Sequence, residues 1–344
     1  MALMRTFVLS AAIFIFSSNR AEAAPLKTCI ITGANRGVGY QAALQLAATN
    51  EWRVVMACRS EERGASALNS IAKGKENCVV EKLDLGDINS IKAFTTKWGS
   101  QNIDCLALNA GIQHSTSGFG GKEKGLNIVR TKQGFEDTVG TNHIGHFLLV
   151  KSLMKNVNKE KGRIVFVGSG VHNPEEGGGN VGSKATLGDF SGLKKGFNDP
   201  YNMVDGSDYD PDKSYKDSKL CNVMLTMELA RRLKGEGSKV TVNVMNPGLI
   251  PTTGLFRDIN PVFVAVFTFL TKYVFKVTSS EEEGGRRLAF LASSPSVHDL
   301  SGGYFTGKAG TSEFKPTSPS KEAADPTKGR MLYETTDTLL KKYL

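Results

Sequence analysis

Five cysteines in 344 residues, none at a paired spacing, leave this chain without the means to build a disulfide scaffold or a thiolate metal centre. Cys29, Cys58, Cys78, Cys105 and Cys221 fall in predicted strands or helices and read as reduced, mostly buried thiols. Proline and serine never gather into a linker, and no motif repeats at a fixed period. The 40% apolar content is therefore expected to build one core. The formal net charge of +9 forms no basic block and no stripe interleaved with aromatics, so nucleic-acid binding is not expected. A dispersed positive excess of this kind suits anionic cofactors or a membrane surface. His143 and His146 share a helical face, but no further cluster of ligand residues stands near them, and no metal is expected. The apolar run from Thr6 to Phe16 falls short of the roughly 20 residues a spanning helix needs. With one positive charge in Met1 to Arg5 before it and Ala21-Glu22-Ala23 after it, residues 1–23 read as an export signal, leaving a domain of residues 24–344.

Short apolar runs at Thr28 to Ile31, Arg53 to Ala57, Val79 to Leu83, Cys105 to Leu108, Arg163 to Val167 and Val240 to Met245 alternate with longer segments of helical periodicity. That alternation predicts an α/β fold with a doubly wound parallel sheet. Directly after the first run stands Thr32-Gly33-Ala34-Asn35-Arg36-Gly37-Val38-Gly39, opening a helix whose apolar face includes Val38, Ala42, Leu46 and Ala47. Glycines between strand and helix let the backbone approach a diphosphate, and the unpaired N–H groups of the helix start face its charge. The spacing is GxxxGxG, which differs from the GxGxxG of the commoner dinucleotide fold. After the second run, Ala57-Cys58-Arg59-Ser60 offers no acid for ribose hydroxyls, whereas Arg59 and Arg36 can pair with a 2′-phosphate. NADPH is the expected cofactor, with Asp84 placed for the adenine amine and Asn109 for the sheet edge beside the nucleotide.

Tyr215-Lys216-Asp217-Ser218-Lys219 sets a phenol and an ammonium four residues apart on one helical face. A nearby cation favours the phenolate and brings proton transfer closer to neutrality. Taken with the glycine loop, this pair resembles the short-chain dehydrogenase/reductase family over essentially all of residues 24–344. The resemblance implies a Rossmann-type single domain and a catalytic set of Tyr215, Lys219, Ser169 and Asn142. Tyr215 would be the acid, and Lys219 would bind the nicotinamide ribose and depress the Tyr215 pKa. Ser169 would hydrogen-bond the reacting group, and Asn142 would hold a water relaying protons to Lys219. The cofactor set would be Gly33, Asn35, Arg36, Gly37, Val38, Gly39, Arg59, Asp84 and Asn109, with Tyr215 and Lys219.

Between Gly170 and Ser214 lies a loop-rich stretch far longer than an ordinary connection of about 4 to 6 residues, an insertion on the substrate side. Ala185 to Leu193, Met203 to Asp210 running into Ser214 to Asn222, Val139 to Leu149 and Thr253 to Arg257 look specifically like the light-dependent protochlorophyllide oxidoreductases. That resemblance implies light-driven reduction of protochlorophyllide to chlorophyllide, a step of chlorophyll biosynthesis, while the export signal leads into a secretory-type membrane system, and to the plastid in an alga whose secondary plastid is reached through it. The aromatic and apolar segment from Phe256 to Phe275 is expected either to pack on the core or to act as a lid over a large flat apolar substrate or against a membrane. Two departures stand out. Leu249 follows Pro247-Gly248 where those reductases carry a cysteine, and Asn109-Ala110-Gly111 stands where they commonly have Asn-Ala-Ala. Glu228 to Lys234, in turn, looks like retinol dehydrogenases, so reduction of a lipophilic aldehyde or ketone is the alternative. Membrane contact and self-association both remain open.

Overall fold

A computed structural model describes residues 25–114, 128–251 and 278–343. The export signal, the match at Thr253 to Arg257 and the apolar segment from Phe256 to Phe275 lie outside the described residues. Among these, eight strands form one sheet in the order β3-β2-β1-β4-β5-β6-β7-β8, parallel but for the last. They are β1 (Lys27–Thr32), β2 (Trp52–Cys58), β3 (Cys78–Lys82), β4 (Cys105–Leu108), β5 (Arg163–Val167), β6 (Thr241–Met245), β7 (Tyr304–Thr306) and β8 (Lys315–Thr317). The first six follow the apolar runs within a residue or two. β5 and β6 are buried at every position, as expected of strands covered on both faces. β7 and β8 have no counterpart in the pattern, since three residues carry no periodicity.

Two apolar layers cover the sheet. On one face α1 (Gly37–Ala47) and α8 (Glu281–Ser293) pack with Ile31, Val54 and Met56. On the other, α3 (Ile88–Trp98), α5 (Gly145–Leu153), α7 (Pro211–Gly235) and α10 (Pro326–Leu340) enclose Ile30, Leu106 and Phe166. α1 and α8 touch through glycine: a Cβ on Gly285 would lie 2.7 Å from the Gln41 carbonyl carbon and 2.8 Å from the Ala42 nitrogen. All five cysteines are buried free thiols.

The chain order reverses beside β1, with β2 on one side and β4 on the other. The crevice beyond the carboxyl ends of β1, β4 and β5 is where such sheets bind ligands. Those ends carry Gly33, Asn109 and Ser169.

Candidate active site

β1 hands the chain to the glycine loop through a hydrogen bond from Gly33 N–H to Ala57 O of 2.8 Å. Gly33 and Gly37 adopt φ of +67° and +60°, a region that disfavours side chains. At Gly39 the issue is space: a Cβ would sit 2.4 Å from Asn109 Nδ2 and 2.8 Å from Gly33 O. Arg36 precedes α1 in extended conformation and its side chain does not cap the helix, and the first turn holds no acid. The helix start therefore presents its N–H groups uncapped by any side chain, which fits a diphosphate. Val38 is buried, Asn35 half-buried, and Arg36 and Arg59 are exposed. The loop and the end of β2 lie together, because the backbone N–H groups of Ala34 and Asn35 point at the Cys58 sulfur. Arg36 and Arg59 thus flank one loop end. Asp84 spends Oδ1 on Gly86 N–H at 3.0 Å, and Oδ2 remains for a ligand. Asn109 donates from Nδ2 to Thr32 O at 2.8 Å and to Gly33 O at 3.3 Å, tying the end of β4 to the glycine loop.

α7 starts at Pro211, whose missing N–H costs nothing at that position, and Asp210 caps it by accepting from Asp212 N and Lys213 N. Its second and third turns carry Tyr215 and Lys219, with the lysine nitrogen 5.5 Å from the Tyr215 ring centroid. Lys219 is 4% exposed, and it donates to Val167 O at 3.1 Å. Burial brings its pKa down to about 8. Tyr215 is half-buried. Burial pushes the phenol well above its ordinary value, and a hydrogen bond with Ser169 pulls the other way. The sequence suggested a phenol made more acidic by Lys219. In the protein alone the net shift is upward, because desolvation outweighs the hydrogen bond with Ser169. A phenol held firmly protonated suits a donor.

Asn142 lies in a π-helical turn, Gly140–Ile144, between the short α4 (Asp137–Val139) and α5. Its Oδ1 accepts from Ile112 N at 2.8 Å, while Nδ2 donates to Ile112 O at 2.9 Å and Ser218 Oγ at 3.0 Å. Ser218 donates in turn to Tyr215 O at 2.7 Å, so the asparagine joins the loop after β4 to α7. The Asn142 carbonyl receives Asn222 Nδ2 at 3.1 Å and His146 Nδ1 at 2.9 Å. A Cβ on Gly111 would lie 3.4 Å from Asn142 Oδ1 and 3.5 Å from Lys219 Nζ, so this glycine leaves room between them. Ser169 ends the β5 connection and its Oγ accepts from Val171 N.

The substrate-side insertion is anchored beside the tyrosine by charge. Lys213 reaches Asp217 at 2.6 Å, Asp205 at 3.0 Å and Thr186 O at 2.9 Å, and Asp217 accepts from Thr186 N at 3.0 Å. Burial alone would lower Lys213, but the two carboxylates outweigh it and hold the ammonium above its ordinary pKa.

Some supporting residues went unread in the sequence. Arg287 of α8, 5% exposed, donates to Pro247 O and to Lys308 O, both at 3.1 Å, and so fixes the Pro247-Gly248 turn. His172 bonds Ser169 O at 2.8 Å. Neither sits in a motif. Among the described residues no group of three or more histidine, cysteine or carboxylate side chains is placed to hold a metal ion. Leu249 is half-buried in a parallel bridge to Thr278.

The family model described as short chain dehydrogenase matches residues 27–190. The chloroplastic protochlorophyllide reductase of Daucus carota is 39% identical over 336 residues, covering 94% of this chain and 82% of that protein. The chain belongs to the short-chain dehydrogenase family. Another relative, the chloroplastic protochlorophyllide reductase of Chlamydomonas reinhardtii, is 38% identical over 90% of this chain and 76% of its own length. Among solved structures, an uncharacterized protein from Mycobacterium Paratuberculosis superposes with a TM-score of 0.66 at 27% identity, covering 92% of this chain and 93% of that one. The fold is shared as well with a Pseudomonas aeruginosa RhlG/NADP active-site complex, TM-score 0.59 at 20% identity, over 81% of this short-chain dehydrogenase and 93% of that chain.

Proposed function

We propose that this short-chain dehydrogenase is an NADPH-dependent oxidoreductase that reduces protochlorophyllide to chlorophyllide in light. The observation that carries the reading is end-to-end likeness to proteins named protochlorophyllide reductase, at 36–39% identity over 90% or more of the chain. NADPH would rest on Gly33, Asn35, Gly37, Val38 and Gly39, with Arg36 and Arg59 at its 2′-phosphate, Asp84 at the adenine and Asn109 behind the loop. Bound there, it supplies a hydride. Tyr215 delivers the proton, Ser169 orients the hydroxyl of Tyr215, and Lys219 holds a positive charge beneath both. The proton relay assigned to Asn142 runs through Oδ1, since its carbonyl is taken by two side chains, and the space beside Gly111 suits a water between that oxygen and Lys219.

The purified protein incubated with NADPH and protochlorophyllide should give the red-shifted product only in illuminated samples, and Leu249→Cys should raise the rate. Dark oxidation of NADPH by retinal or another lipophilic carbonyl, with no pigment product in light, would move the assignment to carbonyl reduction.

Location belongs to the same reading. The relatives are named chloroplastic, and residues 1–23 would carry this chain into a membrane system leading to a plastid. N-terminal sequencing of the protein from its cell should begin near Ala24, and recovery of Met1 or Ala2 would refute the cleavage.

A further inference from the structure

Two buried histidines make the same unusual connection, and the direction of every bond in it can be settled by counting protons. His172 Nε2 lies 3.1 Å from Ser320 N, a backbone group that can only donate. Nε2 is therefore an acceptor, the ring proton sits on Nδ1, and Nδ1 donates to Ser169 O at 2.8 Å. His146 Nε2 lies 3.0 Å from Thr32 Oγ1. That hydroxyl already accepts Asn109 N and Ala110 N, each at 2.9 Å, so both its lone pairs are used and its own proton must go to Nε2. The His146 proton is again on Nδ1, donated to Asn142 O at 2.9 Å.

We propose that His146 and His172 are positioning residues, neutral imidazoles of fixed tautomer that brace the backbone carbonyls of Asn142 and Ser169 against the glycine loop and the carboxyl-terminal segment.

Each brace meets a local need. In the π turn the wider hydrogen-bond ring releases carbonyls from the ordinary helical pattern, and that of Asn142 is taken up by His146 and Asn222. Ser169 stands where β5 has ended and only a three-residue turn follows, so its backbone has little secondary structure to hold it. The far anchors differ. Thr32 is the last residue of β1, directly before Gly33, so the first brace links Asn142 to the nucleotide loop. Ser320 caps the short α9 (Lys321–Ala324), so the second links Ser169 to the chain's end. Burial keeps both rings neutral, bringing His146 down to about 4 with help from the Lys219 charge, and lowering His172 against the opposing Ser169 carbonyl. A second ring proton would set a donor against the fixed Ser320 N–H.

The inference rests on reading Asn142 and Ser169 as residues of the reacting site, but its first test needs no substrate. NMR of the full chain carrying nitrogen-labelled histidine should show two rings protonated at Nδ1, with His146 not titrating between about pH 5 and 8 and His172 titrating below the ordinary histidine range. Each should be assigned by its loss in His146→Asn or His172→Asn. An Nε2-protonated tautomer, or ordinary titration, at either ring overturns the proposal. The second test separates bracing from space filling. Asparagine retains a donor near the Nδ1 position, whereas leucine fills volume and donates nothing. Both leucine variants should lose roughly 10-fold in turnover, and the asparagine variants should recover most of it. NADPH affinity, measured by fluorescence, should weaken in His146→Leu and stay within about 2-fold in His172→Leu, because only the first brace ends at the nucleotide loop. Leucine variants that turn over like the parent would overturn the proposal. If the pigment proves not to be the substrate, the tautomers and the NADPH affinities still decide it.

Discussion

At the scale of single residues, the behaviour of Lys219 follows from a conflict between burial and charge. Without an anion beside it, burial brings the ammonium down to about 8, so near pH 8.5 a large share of the molecules hold it neutral. A nucleotide carrying negative charge favours the protonated form and raises that pKa, so binding draws a proton from solution. Calorimetry of NADPH binding at about pH 8.5 in buffers of different ionisation enthalpy should show net proton uptake, and the effect should vanish near pH 6, where Lys219 is already charged. Uptake that is absent at both values would mean the nucleotide does not feel this lysine. The Tyr215 and Lys219 pair was legible because four residues of helix place it on one face whatever the fold does elsewhere. The roles of His146 and His172 were not. Their partners Thr32 and Ser320 lie 114 and 148 residues away, and no local spacing encodes a tautomer.

Among the elements, α7 decides most. Its cap, its Pro211 and its proton pair were all readable in order, whereas its hold on the insertion depends on Thr186 and Asp205 meeting Lys213 and Asp217 in three dimensions. Lys213→Ala would leave the fully buried Asp217 carboxyl, which burial already raises to about 8 with the lysine present, without its cation. Equilibrium denaturation should show a loss of about 3 kcal/mol, and the pair Lys213→Met with Asp217→Leu should recover much of it, since the cost lies in a buried carboxyl that must stay unpaired or take up a proton. A loss under about 1 kcal/mol for the single change would mean the charges are screened by solvent. The first six strands were visible as apolar runs because a sheet covered on both faces needs mostly apolar side chains. β7 and β8 stayed hidden because their pairing partners, and nothing in their own few residues, define them.

Across the whole molecule, β6 leads to Pro247, Gly248 and Leu249, and the chain returns to that spot. Leu249 bridges Thr278 in parallel, with Ser279 N donating to Leu249 O at 2.9 Å, and Arg287 holds the Pro247 carbonyl from below. Both ends of residues 252–277 are thus fastened at one place by contacts that those residues do not supply. The frame should accept a different cassette there, as an instrument accepts a changed attachment. Closing so short a gap costs little chain entropy, about 0.6 kcal/mol for each doubling of loop length. Changes of sequence within 252–277 would then leave the fastening at Leu249 and Pro247 as it is, since Thr278, Ser279 and Arg287 supply it.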